Sequence, residues 1–596
     1  MLERAAVAIP EVVTSPQKFS EHGSAMKLNR TVLLTVLGSL LLTPRQSVAK
    51  TVRFDIAAYG AVSDDKTNNA AAINRTITAA AQAGGGTVVV PPGDYMSGPI
   101  ILLSNVTLYL EAGSTIRGST RLEDYWLSQD GAEMAKDQGP SAELKPNLAG
   151  LITAKGVKNI AITGRGTIEG SAMAFMTDKV LDLNYALKDG GAWIPRLTRQ
   201  GENFLNPTLG KQDGPFIPKP RPGRMVQIDN CDNVMVTGVT LQNSPNWTLS
   251  VSDSRNVDIV GIKINAFASD RRVPNDDGID LTNSRFVHIA DCDIQSGDDS
   301  IALFGGENIT VTNCTLSSHD SGIRVGYDRG EIRNIVFSNI VIHDSTRGIT
   351  VNVRAGGVIE NVLFNNIVIQ TRLHTGYWWG KGEAIHISAL PKAGTATPGL
   401  IRNLRFSNIL ADSEAGILIY GSKESIVRDV QFDRVKLKVK AGPMTEYVGG
   451  NFDLRGDVTP ELSIFKHDIP GLFCGHVDGL KLLNFELEWG DKLPKFFSHG
   501  IECENFHNLQ VDGFVGRQAE IDGKNSAISL SNGSGVAIRN SVASEGVQTF
   551  LSHAGLTGDI ILMNNDVTRT KVVISPANAD VRQLGNIMHS TSTSQH

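Results

Sequence analysis

NIVFSNIVI at residues 334–342 is followed, 27 residues on, by NVLFNNIVI at 361–369. Each run opens on Asn and then places β-branched or aromatic residues at alternate positions, the period of a half-buried strand. The same phrase recurs upstream as NITVTNCTL from Asn308, FVHIADCDI from Phe286, NVDIVGIKI from Asn256 and NVMVTGVTL from Asn233. Shorter copies open at Asn159 (NIAITG) and Asn105 (NVTLYL), and NLRFSNILA follows from Asn403. Weaker copies lie near Leu480, Asn508 and Val536. A period of 20–50 residues marks stacked repeats. These units are strand-rich and hold no helical stretch, so the expected stack is an all-β parallel β-helix. Each coil pairs with the next and buries alternate side chains. The recurring Asn suits left-handed corners between strands. A chain of 596 residues would otherwise suggest several domains.

Outside the repeats, Thr51 to Val62 reads as a strand (TVRFDIAAYGAV). A short helix is expected from about Asn68 to Ala83, capped by Thr67 or Asn68, with Ile73 and Ile77 on one face and Gly84-Gly85-Gly86 ending it. It would cover the open edge at the start of the stack. Longer excursions at about 120–150, 172–222, 371–400 and 441–475 break the repeat. Such loops on a rigid scaffold commonly build a binding face.

From Met26 the chain reads MKLNRTVLLTVLGSLLLTPRQSVAK. Basic Lys27 and Arg30, an apolar run from Thr31 to Thr43 and Ser47-Val48-Ala49 follow the order of a secretory signal. The run is too short to span a bilayer. The expected organisation is an upstream extension and signal peptide over 1–49, a single β-helix domain over 50–587 and a disordered polar tail over 588–596. The expected location is secreted or periplasmic. The composition, 41% hydrophobic and 20% charged, suits a folded soluble chain. A net charge of −6 gives no reason to expect nucleic acid or an anionic membrane as partner, and a monomer is expected. The five cysteines lack CxxC spacing, and no metal or cofactor is expected. Cys231, Cys292 and Cys314 recur at similar repeat positions, which stacked buried thiols explain as well as a bridge does.

The densest acidic group spans two neighbouring coils. PNDDGIDL carries Asn275, Asp276, Asp277 and Asp280, and SGDDSIAL carries Asp298 and Asp299. Stacked strands lie about 4.8 Å apart, so these carboxylates should crowd one patch. Crowding raises at least one pKa and sets a protonated acid beside an ionised base. An inverting glycosidase needs such a pair roughly 6.5–9.5 Å apart, with room for a water. The competing reading, aspartates that merely cap turns, fits one Asp better than two pairs a coil apart.

NSPNWTL (243–249), PNDDGID (274–280) and SGDDSIAL (296–303), in that order, resemble glycoside hydrolase family 28, the polygalacturonase family. The opening 51–74, PPGDY at 91–95, SNVTLYLEAGSTI at 104–116 and GRGTIEG at 164–170 are similar to its bacterial members. The resemblance covers roughly 51–430. It implies a right-handed, pectin-lyase-like solenoid and an inverting hydrolase of pectin-type polysaccharide, with a polysaccharide or oligosaccharide as substrate. By motif match it implies Asp298 as general acid, Asp277 and Asp299 as the pair activating water, and Asn275 beside them.

Two family motifs are altered. The family histidine falls on Ser321, and the nearby histidine is His319, which shares its face if the strand is regular. An Arg-Ile-Lys motif reads Thr350-Val351-Asn352, so the pair that would grip a substrate carboxylate is missing. Arg324 and Arg354 are stand-ins or plain surface arginines. Unless they serve, simple polygalacturonate should be a poor substrate. TGYWWGKGEAIHIS (375–388) concentrates Tyr377, Trp378 and Trp379 either as a sugar-stacking subsite or as a loop pinned to the coil, with Glu383 and His386 as polar rim. Two alternatives remain open: a pectate-lyase-type β-elimination enzyme with an acidic calcium cluster, and a non-catalytic carbohydrate-binding β-helix.

Overall fold

The computed structural model describes residues 52–588 except 126–147, 178–215, 266–270, 375–377, 379, 393–396, 455–463, 521–522 and 578–580. All lie within the compact unit Val52–His596. The segment read as a signal peptide, the polar tail from 589, Tyr377, Trp379 and much of the long excursions lie outside the described residues.

The β-branched runs pair in parallel, each with the equivalent run of the next coil, and among the described residues 39 strands join one continuous sheet. This is the expected right-handed parallel β-helix, the hand that a right-twisted strand imposes on a crossover to a parallel neighbour. The interior is built from rows. Val287, Ile309, Ile335, Val362, Leu404 and Val430 are successive register partners, all buried. Beside them Phe337, Phe364, Phe406 and Phe432 stack almost flat, with centroids 5.1, 4.7 and 4.8 Å apart.

The recurring asparagines turn the corners. Asn308, Asn334, Asn361 and Asn403 all hold left-handed backbone, with φ between 55° and 58°. Each amide donates to the side-chain oxygen one coil back: Asn334 to Asn308 at 3.1 Å, Asn361 to Asn334 at 3.2 Å, Asn403 to Asn361 at 2.6 Å. A second ladder climbs Asn313, Asn339, Asn366 and Asn408. Left-handed backbone costs most L-residues roughly 1–2 kcal/mol, and Asn tolerates it best after Gly. The stacked amides satisfy each other as well, so the corner residue serves both needs.

The expected helix is α1, Ala70–Gln82. Asn68 Oδ1 accepts the Ala70 N–H at 3.1 Å, and Ile73, Ile77 and Ala80 are buried. Gly84 leaves the helix at φ 88°. The five cysteines are free and buried. Cys474 and Cys503 are register partners in adjacent coils, as stacked thiols require.

One face positions the site. Its strands are β1 (Val226–Asp229), β2 (Leu249–Ser252), β3 (Ile279–Thr282), β4 (Ile301–Leu303), β5 (Ser321–Val325), β6 (Arg347–Val353), β7 (Ile385–Ala389) and β8 (Ile417–Tyr420). Val226, Leu249, Ile279, Ile301, Ile323, Ile349 and Ile385 form their shared inward row.

Candidate active site

Counting from that inward row aligns the polar residues. Three positions before it stand Asp276, Asp298 and Asp320, just ahead of β3, β4 and β5. Two before it stand Arg224, Trp247, Asp277, Asp299, Ser321, Arg347 and Glu383, one per coil from β1 to β7. One after it stand Asp280, Ala302, Arg324, Thr350 and His386. The register is held by the backbone: Gly278 N donates to the Asp299 carbonyl at 2.8 Å, and Thr248 N to that of Asp277 at 2.8 Å. The sequence-predicted aspartates therefore meet in one patch. An oxygen from each of Asp277, Asp298 and Asp299 lies within 4.8 Å of the other two. That is tighter than the roughly 6.5–9.5 Å expected of an inverting acid–base pair, so the closest-atom spacing does not itself signal inversion.

The patch contains its own counter-charge. Arg324 Nη2 lies 2.6 Å from Asp299 Oδ2, 3.2 Å from Asp320 Oδ2 and 3.9 Å from Asp298 Oδ1. Asp298 has the most exposed of the three predicted catalytic side chains at 12%, whereas that of Asp299 is fully buried. Asn275 Nδ2 donates to Asp298 Oδ2 at 3.4 Å, and Arg221 donates to Asn275 Oδ1 at 2.9 Å, which fixes the amide. Asp276 accepts from Gly297 N at 2.5 Å and Asp298 N at 3.2 Å, so it braces the turn rather than facing outward. Burial pushes the carboxyls of Asp276, Asp277 and Asp280 well above the usual range. For Asp277 the neighbouring charges of Asp280, Asp298 and Asp299 add to burial. Burial thus favours the protonated forms of these three carboxyls, while Arg324 compensates Asp299.

Several readings of single residues change. Arg324 is 4% and Arg354 2% exposed, so neither is a surface arginine. Arg354 donates to Asp328 at 2.9 Å and lies 3.7 Å over the Tyr327 ring. His319 is buried; its ring stacks on His374 at 3.8 Å and meets the edge of Trp378 at 5.4 Å. Trp378 is 3% exposed and pins its loop to the coil, so it is not an exposed stacking surface. Glu383 and His386 are buried, not rim. Glu383 accepts from Arg347 Nε at 3.3 Å and Lys381 N at 2.7 Å. Against the upward push of burial, Arg347 holds the Glu383 carboxyl at about 2.

Other residues were not singled out from sequence. Asp320 completes the carboxylate ring around Arg324, and only the register count places it beside Asp298. Arg224 lies 4.3 Å over the Trp247 ring, whose plane stacks within 7° on Phe304 at 5.4 Å. The Arg224-Trp247-Asp277 alignment could have been found by aligning the repeats on their inward residues.

The chain is similar to known proteins over much of its length. Residues 200–449 match the family model described as Glycosyl hydrolases family 28, and residues 54–181 that described as Rhamnogalacturonase A/epimerase, pectate lyase-like. An endo-polygalacturonase of Pectobacterium carotovorum subsp. carotovorum is 23% identical over 354 residues, 58% of this chain and 77% of its own length. A polygalacturonase of Ralstonia nicotianae is 23% identical over 475 residues, 74% of this chain and 80% of its own. Among solved structures, the family 28 exopolygalacturonase of Yersinia enterocolitica shares the fold, with a TM-score of 0.51, 19% identity and 78% of each chain covered.

Proposed function

We propose that this chain, a polygalacturonase-like, pectin-degrading glycoside hydrolase of the family 28 kind, cleaves its substrate through Asp298, Asp299 and Asp277. The observation that carries the reading is the convergence of the three carboxylates, two of them within 3.9 Å of the Arg324 guanidinium. Asp298, the most accessible of the three, gives its proton to the glycosidic oxygen as the bond to the anomeric carbon breaks. A water held by Asp299 and Asp277 attacks that carbon from the other face and gives its proton to Asp299. Arg324 compensates the carboxylate that receives it. The product is a sugar of inverted configuration. Asn275 orients Asp298, while His319 acts from behind through the His374 and Trp378 packing.

The lyase reading would need an arginine or lysine to abstract a proton. Arg324, the guanidinium at the centre of the cluster, is ion-paired to Asp299 and Asp320, which argues against that role. We assign residues 50–587 to one catalytic β-helix and residues 1–49 to export, so that the enzyme meets its polysaccharide outside the cytoplasm. Among the described residues no helix is long and apolar enough to cross a membrane.

Asp298→Asn tests the assignment. An amide cannot donate the leaving-group proton, so hydrolysis of pectic oligomers should fall by about 10²–10⁴-fold with an unchanged circular dichroism spectrum. Near wild-type activity in the folded variant would remove Asp298 from the mechanism.

A further inference from the structure

A hydrolase of acidic pectin has to recognise carboxylates, and the residues nominated from sequence are already engaged. Arg324 is ion-paired to Asp299 and Asp320, and Arg354 to Asp328. Arg347, also on this face, is fully buried against Glu383 and the Asp453 carbonyl. Arg221 donates to the carbonyls of Pro245 and Pro274 and to Asn275.

Arg224 differs from all four. It stands at the head of the row that continues through Trp247 to Asp277 and Asp299, two coils or about 10 Å of backbone before Asp277. It is half-buried, and among the described residues its guanidinium makes no ion pair and no side-chain hydrogen bond. Its Nε is fully buried and has no hydrogen-bond partner. The side chain does not wander, because the guanidinium lies 4.3 Å over Trp247, and Trp247 is backed by Phe304. A planar cation clamped on an aromatic ring with unspent donors is a preorganised receptor for a planar anion. The acids that act on it, Asp280, Asp229 and Asp277, do so through space, and none of them forms an ion pair or hydrogen bond with its guanidinium.

We infer that Arg224, held on Trp247, is the residue that recognises a uronate carboxylate of the substrate and takes over the task of the missing Arg-Lys pair from the opposite side of the aspartates. The inference rests on the pectin-hydrolase reading and adds a specificity residue to it. It also reverses the expectation that polygalacturonate is a poor substrate.

The test compares Arg224→Gln with wild type on polygalacturonate and on fully methyl-esterified homogalacturonan, whose carboxylates are masked. A charge-assisted contact of this kind is worth roughly ten- to a hundred-fold in kcat/KM. Arg224→Gln should lose about that on polygalacturonate, mainly in KM, and at most a few-fold on the ester. Arg224→Lys should recover part of the loss. Equal losses on both substrates, or none on polygalacturonate, would overturn the assignment. Calorimetric binding of trigalacturonate and its methyl ester to wild type and Arg224→Gln separates this inference from the hydrolase reading. If wild type cleaves neither polymer yet binds the acid more tightly than the ester, and Arg224→Gln abolishes that difference, Arg224 stands and the hydrolase reading falls. If wild type shows no preference for the acid in binding or cleavage, Arg224 is not a carboxylate receptor.

Discussion

The Arg324 guanidinium lies 2.6 Å from the Asp299 carboxylate, with the arginine side chain 5% exposed and the aspartate side chain not exposed at all. Two opposite charges so far from water are worth less as a pair than they cost when separated. Arg324→Gln leaves Asp299 and Asp320 uncompensated in the same cavity. We expect a loss of about 3–5 kcal/mol in denaturant unfolding. Residual activity should also shift to higher pH, because the base then binds its proton more readily. A variant with wild-type stability and pH profile would mean that Arg324 does not balance the cluster.

Asp277 should show the opposite trade. Burial and three neighbouring carboxylates raise its folded-state pKa well above its value in the unfolded chain. Such a group contributes stability that is full below the unfolded pKa of about 3.9 and is lost as pH rises through the folded pKa. Above that window the raised pKa is a net cost to the fold. Asp277→Asn should abolish activity and raise the melting temperature at pH 7, with the gain shrinking towards pH 4. Thermal scans at the two pH values decide it, and a melting temperature lowered at pH 7 would contradict the assignment.

Glu383 behaves in the contrary sense. Its carboxyl is held at about 2. Its stabilising share is present above the unfolded pKa of about 4.3 and disappears as pH falls through about 2. Glu383→Gln strands Arg347, so we expect a marked loss of stability at pH 7 that narrows in strong acid. Urea midpoints measured across that range check both the sign and the window.

Proton NMR of the first-formed product addresses stereochemistry directly. The proposed roles predict the inverted anomer, even though the closest carboxylate oxygens are nearer than the usual spacing rule would ask. Initial retention would reassign one aspartate as a nucleophile.

Much of this was legible in the residues. The Asn corners could be read because left-handed backbone admits few side chains, and Asn105, Asn159, Asn233, Asn256 and Asn308 all adopt it. The aspartates were legible as two pairs one coil apart. Asp320 was not, because its row depends on an alignment that the bend at 319–320, between the strands Thr315–Ser318 and β5, conceals. Glu383 and His386 read as rim from sequence because charged residues are usually exposed unless paired, and the partner Arg347 of Glu383 lies 36 residues away. Arg224 went unnoticed because nothing beside it in the chain marks it. Trp247 reaches it only across a coil.

The stacked coils also decide what the molecule loses first under stress. Each coil leans only on its neighbours, so unravelling starts at an end and proceeds inward. The last strands, Val572–Ser575 and Val581–Leu584, are largely exposed, whereas β3, β4 and β5 sit among fully covered coils with many layers on either side. Heat or a protease should therefore nibble the C-terminal turns while catalysis continues. The outer coils then act as sacrificial length, and the working life of the site is set by how many of them stand between the exposed strands and the aspartates.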